Sequence, residues 1–173
     1  MGNPQWCASK LIGEFAVRNI MELNINEYGR STKRISPSLE TVKMFEEEFR
    51  VSLPPEFVQF LGEVNGGHPE LDSFVLPGSD ENNRFAVDYF YHLTDNEQSS
   101  TTDIWWAMRN WGQVLGGGCV PIACDGGGNQ VYIDCNNQNF IFLCLHDEGF
   151  KKAKVAESFS EFLDLLEKDL EMI

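Results

Sequence analysis

The sequence predicts an α+β domain: a twisted, mostly antiparallel sheet with helices packed around it. Three observations lead there. Apolar residues recur at helical spacing in two stretches before residue 65 and in a third near the C-terminus. The stretch "RFAVDYFYHL" alternates as a strand does, placing Phe85, Val87, Tyr89, Tyr91 and Leu93 on one face. Three short apolar runs, "CVPIAC", "NQVYIDC" and "NFIFLCLH", follow one another with only turn residues between them, the pattern of an antiparallel meander. Helices and strands are segregated along the chain, which favours α+β over a parallel, doubly wound sheet.

Two units are expected: an N-terminal extension, 1–35, and a domain, 36–173. In the extension, "KLIGEFAVRNIMEL" spaces Leu11, Phe15, Ile20 and Leu23 imperfectly along a helix, and "NINEYGRSTKR" reads as a polar turn. Ser36 is expected to cap the first helix of the domain, with Pro37 at its first position, where a missing N–H is harmless. Leu39, Val42, Phe45 and Phe49 supply its buried stripe. In "SLPP", Leu53 precedes Pro54 and is pushed out of helical geometry, and Pro55 opens a second helix with Phe57, Phe60, Leu61 and Val64 on one face. Asn65-Gly66-Gly67 ends it, because Asn and Gly tolerate the left-handed conformation of a C-terminal cap.

A polar loop over 77–83 leads into the alternating strand. "DNEQSSTTD" is loop, and Thr102 or Asp103 caps a helix through "IWWAMRNW" that "LGGGC" ends. The three meander strands follow. Ser158 and Glu161 form a capping box for a last helix whose stripe is Phe159, Phe162, Leu163, Leu166 and Leu170.

Composition bounds the function. With 173 residues, 42% of them hydrophobic and 12% aromatic, the chain can bury one sizeable core. It contains no run long enough to span a bilayer and no secretory signal, and its five cysteines are an odd number, so a cytoplasmic protein with reduced, buried thiols is expected. The formal net charge is −14, concentrated in the middle: between His68 and Gly149, twelve acidic residues face only Arg84 and Arg109. Residues 1–37 are slightly basic, with five Lys or Arg against three Glu. Phosphate backbones would be repelled by that middle, so direct nucleic-acid binding is not expected, whereas a basic partner would be steered towards it.

The stretch "CDGGGNQVYIDC" has to be tested as a phosphate cradle, a metal loop or a turn. A phosphate cradle needs Lys and Ser or Thr after the glycines, or a helix whose N-terminus meets the pyrophosphate; here a strand pattern follows. Zinc favours close cysteine pairs, but Cys119, Cys124, Cys135 and Cys144 are separated by four, ten and eight residues, with His146 beyond. His68, His92 and His146 lie in separate segments, and no cysteine stands at a helix N-terminus. A carboxylate pair of Asp125 and Asp134 across a hairpin is outweighed by their reading as surface acids. What remains is a β-hairpin turn, with the glycines and Asn129 at positive φ and Asp125 bonding its own following amides. No catalytic residues, metal or cofactor are expected.

Together these stretches carry a resemblance. "LPPEFVQFLGEVNGG" resembles the first signature of the SMI1/KNR4 family, also called SUKH, through Leu53, Pro54, Phe57, Phe60, Asn65, Gly66 and Gly67. "VPIACDGGGNQVYID" is similar to its second, through Pro121, Asp125, Gly126, Asn129 and Asp134, and "SFSEFLDLL" to its closing helix. The resemblance implies the α+β fold, and for bacterial members an immunity protein that neutralises a toxin, often a nuclease, by binding it. The alternative it implies is a regulatory scaffold or ligand-binding module with no toxin. For an immunity protein the expected partner is a basic protein toxin, with neither nucleic acid nor membrane bound directly. The expected contact surface is the acidic loops, Glu70, Asp72, Asp80, Glu81, Asp95, Glu97 and Asp103, with Trp105 or Trp106 as an anchor.

Overall fold

A computed structural model of the chain describes residues 34–81, 83–95 and 100–168. The expected extension helix, Glu97 and Leu170 lie outside the described residues. Two helices come first, α1 (Leu39–Phe49) and α2 (Pro55–Glu63). Three short strands follow, β1 (Ser73–Val75), β2 (Arg84–Ala86) and β3 (Tyr89–Phe90). Next come α3 (Ile104–Leu115), β4 (Cys119–Cys124), β5 (Gln130–Asp134), β6 (Phe140–Leu145), β7 (Lys151–Ala156) and α4 (Phe159–Leu165). The order β3-β4-β5-β6-β7 makes one five-stranded sheet, antiparallel throughout, and β1-β2 is a separate antiparallel pair. The architecture is α+β, as the periodicities predict.

The meander is present, with β4 opposite β5 from Cys119↔Asp134 to Cys124↔Gln130 and β5 opposite β6 from Gln130↔Cys144 to Asp134↔Phe140. Val131 and Ile133 on β5 stand beside Leu143 and Ile141 on β6 and face the main core. Aromatic rings from α2, α4 and β3 fill that core. Phe159 meets Phe57 at 5.1 Å and Phe60 at 5.2 Å between ring centroids, and Phe60 meets Phe90 at 5.2 Å. Tyr132 and Cys144 belong to the opposite sheet face, where with Cys119 and Leu115 they make a smaller cluster under Trp111.

Several boundaries differ from expectation. Helix α1 is capped by Ser38, whose hydroxyl accepts from the Thr41 N–H at 3.1 Å, and not by Ser36. Ser36 donates instead to the Gly62 carbonyl, and Pro37 is buried outside the helix. The alternating stretch 84–93 is not one strand. Arg84–Ala86 pairs with β1, Tyr89–Phe90 pairs with β4, and the face changes between them, so that adjacent Phe90 and Tyr91 are both buried. Alternation was a sound sign of extended chain but could not show that two sheets share it.

Strand β7 escaped notice because "KKAKVA" carries three lysines; it is the sheet's last strand, paired only with β6, and edge strands are commonly lysine-rich. Asp103 caps α3, accepting from Trp105 N–H at 2.8 Å, and α3 continues to Leu115. Ser158 caps α4 by accepting from Glu161 N–H at 3.0 Å, while the Glu161 carboxylate reaches back to Glu157 N–H at 2.6 Å.

Candidate functional site

The glycine stretch forms the β4–β5 hairpin turn. The Asp125 carboxylate accepts from the Asn129 N–H at 2.8 Å and from the Asn129 side-chain amide at 2.7 Å. Its reach is thus across the loop to Asn129. Of the turn residues only Gly128 has a positive φ, 96°, so the expectation that all the glycines and Asn129 would is corrected. Asn129 Oδ1 faces the neighbouring turn and accepts from the His146 N–H at 3.0 Å. Asp134 lies at the far end of this hairpin from Asp125, where it accepts from the Asn136 N–H at 3.2 Å. Pro121 is buried in β4 beside an irregularity in register. Gly126 is exposed, with open space where a side chain would stand.

The Asn65-Gly66-Gly67 stretch is a clamp. The buried side chain of Asn65 donates to the carbonyls of Ile35 at 2.7 Å and Leu93 at 2.8 Å, and accepts from the Leu93 N–H at 2.8 Å. Gly66, at φ 76°, passes so close to β3 that a Cβ would lie 2.6 Å from the Tyr91 carbonyl oxygen. Gly67 exchanges backbone hydrogen bonds with Phe90 at 3.0 and 2.8 Å. Before the clamp, Glu46 accepts from the Leu53 N–H at 2.7 Å, holding the turn into Pro54. Each of these residues satisfies buried backbone or permits close approach.

Residues 36–165 match the model of the SMI1 / KNR4 family (SUKH-1). The chain belongs to the SMI1/KNR4 family. It matches none of the curated proteins.

On this SMI1/KNR4 domain the expected partner residues fall into three groups. Asp103 is fully buried and Trp105 is 5% exposed, which takes both off the surface. Asp103 is held by the Thr94 hydroxyl at 2.6 Å as well as by its capping bond, and Trp105 packs against Phe45 and Phe49. Asp95 is exposed but committed to α1: it accepts from the Ser38 N–H at 2.8 Å and the Thr41 hydroxyl at 2.6 Å, bonds that lower its carboxyl pKa. Glu70, Asp80 and Glu81 are exposed, while Asp72 and Trp106 are half-buried. The tryptophan pair divides because α3 turns 105 into the core and leaves 106 at its margin.

His92 Nε2 stands 3.8 Å from Asp103 Oδ2, beyond hydrogen-bond range, and its buried Nδ1 has no hydrogen-bond partner among the described residues. Burial first, and then the Arg34 charge, push the His92 pKa down to about 4, so the ring is neutral. Burial pushes thiols up, Cys119 to about 11 and Cys135 to about 12, the reverse of an activated nucleophile. Among the described residues, no three His, Cys, Asp or Glu side chains are grouped to hold a metal ion. No helix of the described residues is long and apolar enough to cross a membrane.

Sequence reasoning missed one connector. The Glu56 carboxylate accepts from the Phe159 N–H at 2.7 Å and the Ser160 hydroxyl at 2.8 Å, tying α2 to the start of α4. The sequence signal available was only an acid in the first turn of a helix, where its own helix dipole already accounts for it.

Proposed function

We propose that this SMI1/KNR4 protein is an immunity-type binding protein of the cytoplasm that neutralises a cognate, basic protein toxin by occupying it. The observation that carries the reading is the family membership over residues 36–165. Two features of the molecule support it. The family-motif side chains are engaged in caps, turns and packing, which leaves function to the surface. That surface carries most of a net charge of −14, including Glu70, Asp80 and Glu81 on exposed loops. Acids so placed accelerate encounter with a cationic protein such as a nuclease and repel nucleic acid itself. The four described cysteines are free thiols, in keeping with a reducing compartment.

The test is protection. A basic toxin domain found in a reading frame neighbouring this gene, if one is encoded there, is expressed from an inducible promoter with and without this chain, and the purified pair is examined for a stable complex. Survival that depends on complex formation is the expected result. Equal killing with and without the chain, and no complex, would overturn the reading in favour of a scaffold without a toxin.

A further inference from the structure

The edge of a sheet presents N–H and C=O groups to which a further strand can add, and native proteins blunt or cover such edges. Among the described residues the two sheets have four edges. The outer edge of β1 is taken by Glu167, which exchanges backbone hydrogen bonds with Ser73 at 3.0 and 2.8 Å. At β3, Phe90 exchanges a pair with Gly67. Strand β7 is guarded by Lys151, Lys152 and Lys154. Strand β2, Arg84–Ala86, has no lysine, no proline and no covering segment among the described residues.

Its open groups follow from the register. The Val87 N–H bonds to the Asp72 carbonyl at 2.7 Å, and Phe85 stands opposite Phe74. Residues that exchange bonds alternate along an antiparallel pair. Phe85 and Val87 therefore turn their backbone groups to β1, and the N–H and C=O of Arg84 and Ala86 point away from it. Ser73 agrees with this phase: it stands opposite Ala86 and bonds outwards, to Glu167. Arg84 and Ala86 are exposed. The next outward group, the Asp88 N–H, bonds to the carbonyl of Cys124, the last residue of β4, at 2.9 Å. The open edge thus lies in line with β4, just past its end.

The surroundings say what adds there. From His68 to Asp88 the chain carries five acids, Glu70, Asp72, Asp80, Glu81 and Asp88, and one base, Arg84. The Arg84 guanidinium is ion-paired with Glu167, on the far side of β1 from the open edge, and Lys168 follows Glu167 there. Asp88 has His68 Nδ1 beside it at 3.6 Å. Two outward residues offer few hydrogen bonds, so side chains must contribute. Phe85 is half-buried, its ring centroid 6.0 Å from that of buried Phe74, and an apolar side chain on an added strand would complete its cover.

We propose that the outer edge of β2 accepts an extended basic segment of a protein partner as an added strand. The inference rests on the immunity reading and names the edge by which the partner is held. Arg84 and Ala86 supply the backbone bonds, Phe85 the apolar contact, and Glu81 and Asp88 meet lysines or arginines at the two ends of the segment.

The probe is a catalytically inactivated basic toxin domain from a reading frame neighbouring this gene, and the readouts are amide hydrogen exchange and binding rates with the full chain. The Arg84 and Ala86 amides are expected to exchange fast in the free chain and at least about tenfold more slowly in the complex. Ala86→Pro removes an outward N–H that the hairpin does not use, and is expected to speed dissociation at least about tenfold. Ala86→Lys keeps that N–H, guards the edge as β7 is guarded, and is expected to weaken binding as well, so the test does not depend on the proline variant folding. Binding without slowed exchange at Arg84 and Ala86, or unaltered rates in Ala86→Lys, would overturn the inference and leave the immunity reading standing. Slow exchange of both amides in the free chain would show the edge covered by this chain or by a second copy, and would overturn it too. Absence of such a domain, or failure of the unaltered chain to bind it, would overturn both.

Discussion

The carboxylate of Glu56 on α2 caps α4 more than one hundred residues later, accepting from the Phe159 N–H at 2.7 Å. The same carboxylate takes the Ser160 hydroxyl with its other oxygen, so one side chain orients two helices whose phenylalanines, Phe57 and Phe159, meet edge to face. Replacing Glu56 with Ala leaves a helix-terminal N–H without its partner and is expected to destabilise the fold by about 1–2 kcal/mol. Glu56→Gln keeps an acceptor oxygen and loses the charge, so a smaller loss is expected. Urea unfolding of both variants is the check; equal losses would mean that charge, not bond geometry, carries the contact.

Two family-motif glycines have opposite tolerances. A Cβ on Gly66 would lie 2.6 Å from the Tyr91 carbonyl oxygen and 2.7 Å from that of Phe90, both backbone atoms that cannot swing aside, and φ is 76°. Gly66→Ala is therefore expected to cost about 3 kcal/mol or more, or to prevent folding. At Gly126 a Cβ meets nothing within 4 Å, and φ is not positive. Gly126→Ala is expected to fall within about 1 kcal/mol of the unaltered chain, on either side. Thermal melts of the two variants decide this, and a severe effect at Gly126 would point to a contact outside the fold.

Stability should fall on mild acidification, and His92 should be a principal cause. Its folded pKa, about 4, lies below the ordinary 6.5, so between these values the unfolded chain binds a proton that the folded chain does not. The penalty is absent above pH 6.5, grows as the pH falls and is complete near pH 4, at about 3 kcal/mol. Asp103, facing the ring from the start of α3, has its pKa raised by burial and works in the opposite sense, taking up a proton in the folded state first. Arg34 stays charged throughout, and the lowered pKa of Asp95 adds a loss only as the pH falls through the carboxylate range. Unfolding free energies measured from pH 7 to pH 4 should slope less in His92→Gln than in the unaltered chain. An unchanged slope would place the protonation elsewhere.

The fold class, the helices and the meander were legible in the sequence because each follows from local spacing. Phe57, Phe60 and Leu61 make one helical face wherever the helix lies, and Asn65-Gly66-Gly67 can end a helix in any surroundings. The motif residues were legible too, since Asp125 and Asn129 meet within a single turn. Beyond that reach, spacing is silent. That Asp103 and Trp105 would be interior while Trp106 stayed at the margin depended on α1 packing beside α3. The division of 84–93 between two sheets depended on which strand arrived to pair with it. A capping acid and a solvated acid look alike in sequence: Glu56, Asp95 and Glu47 are all carboxylates on or beside helices. Only the folded chain shows that a distant N–H engages the first, that the α1 cap engages the second, and that the third faces water. Side-chain chemistry and period are properties of the chain itself, whereas the partner of a polar group is fixed by elements that meet only on folding.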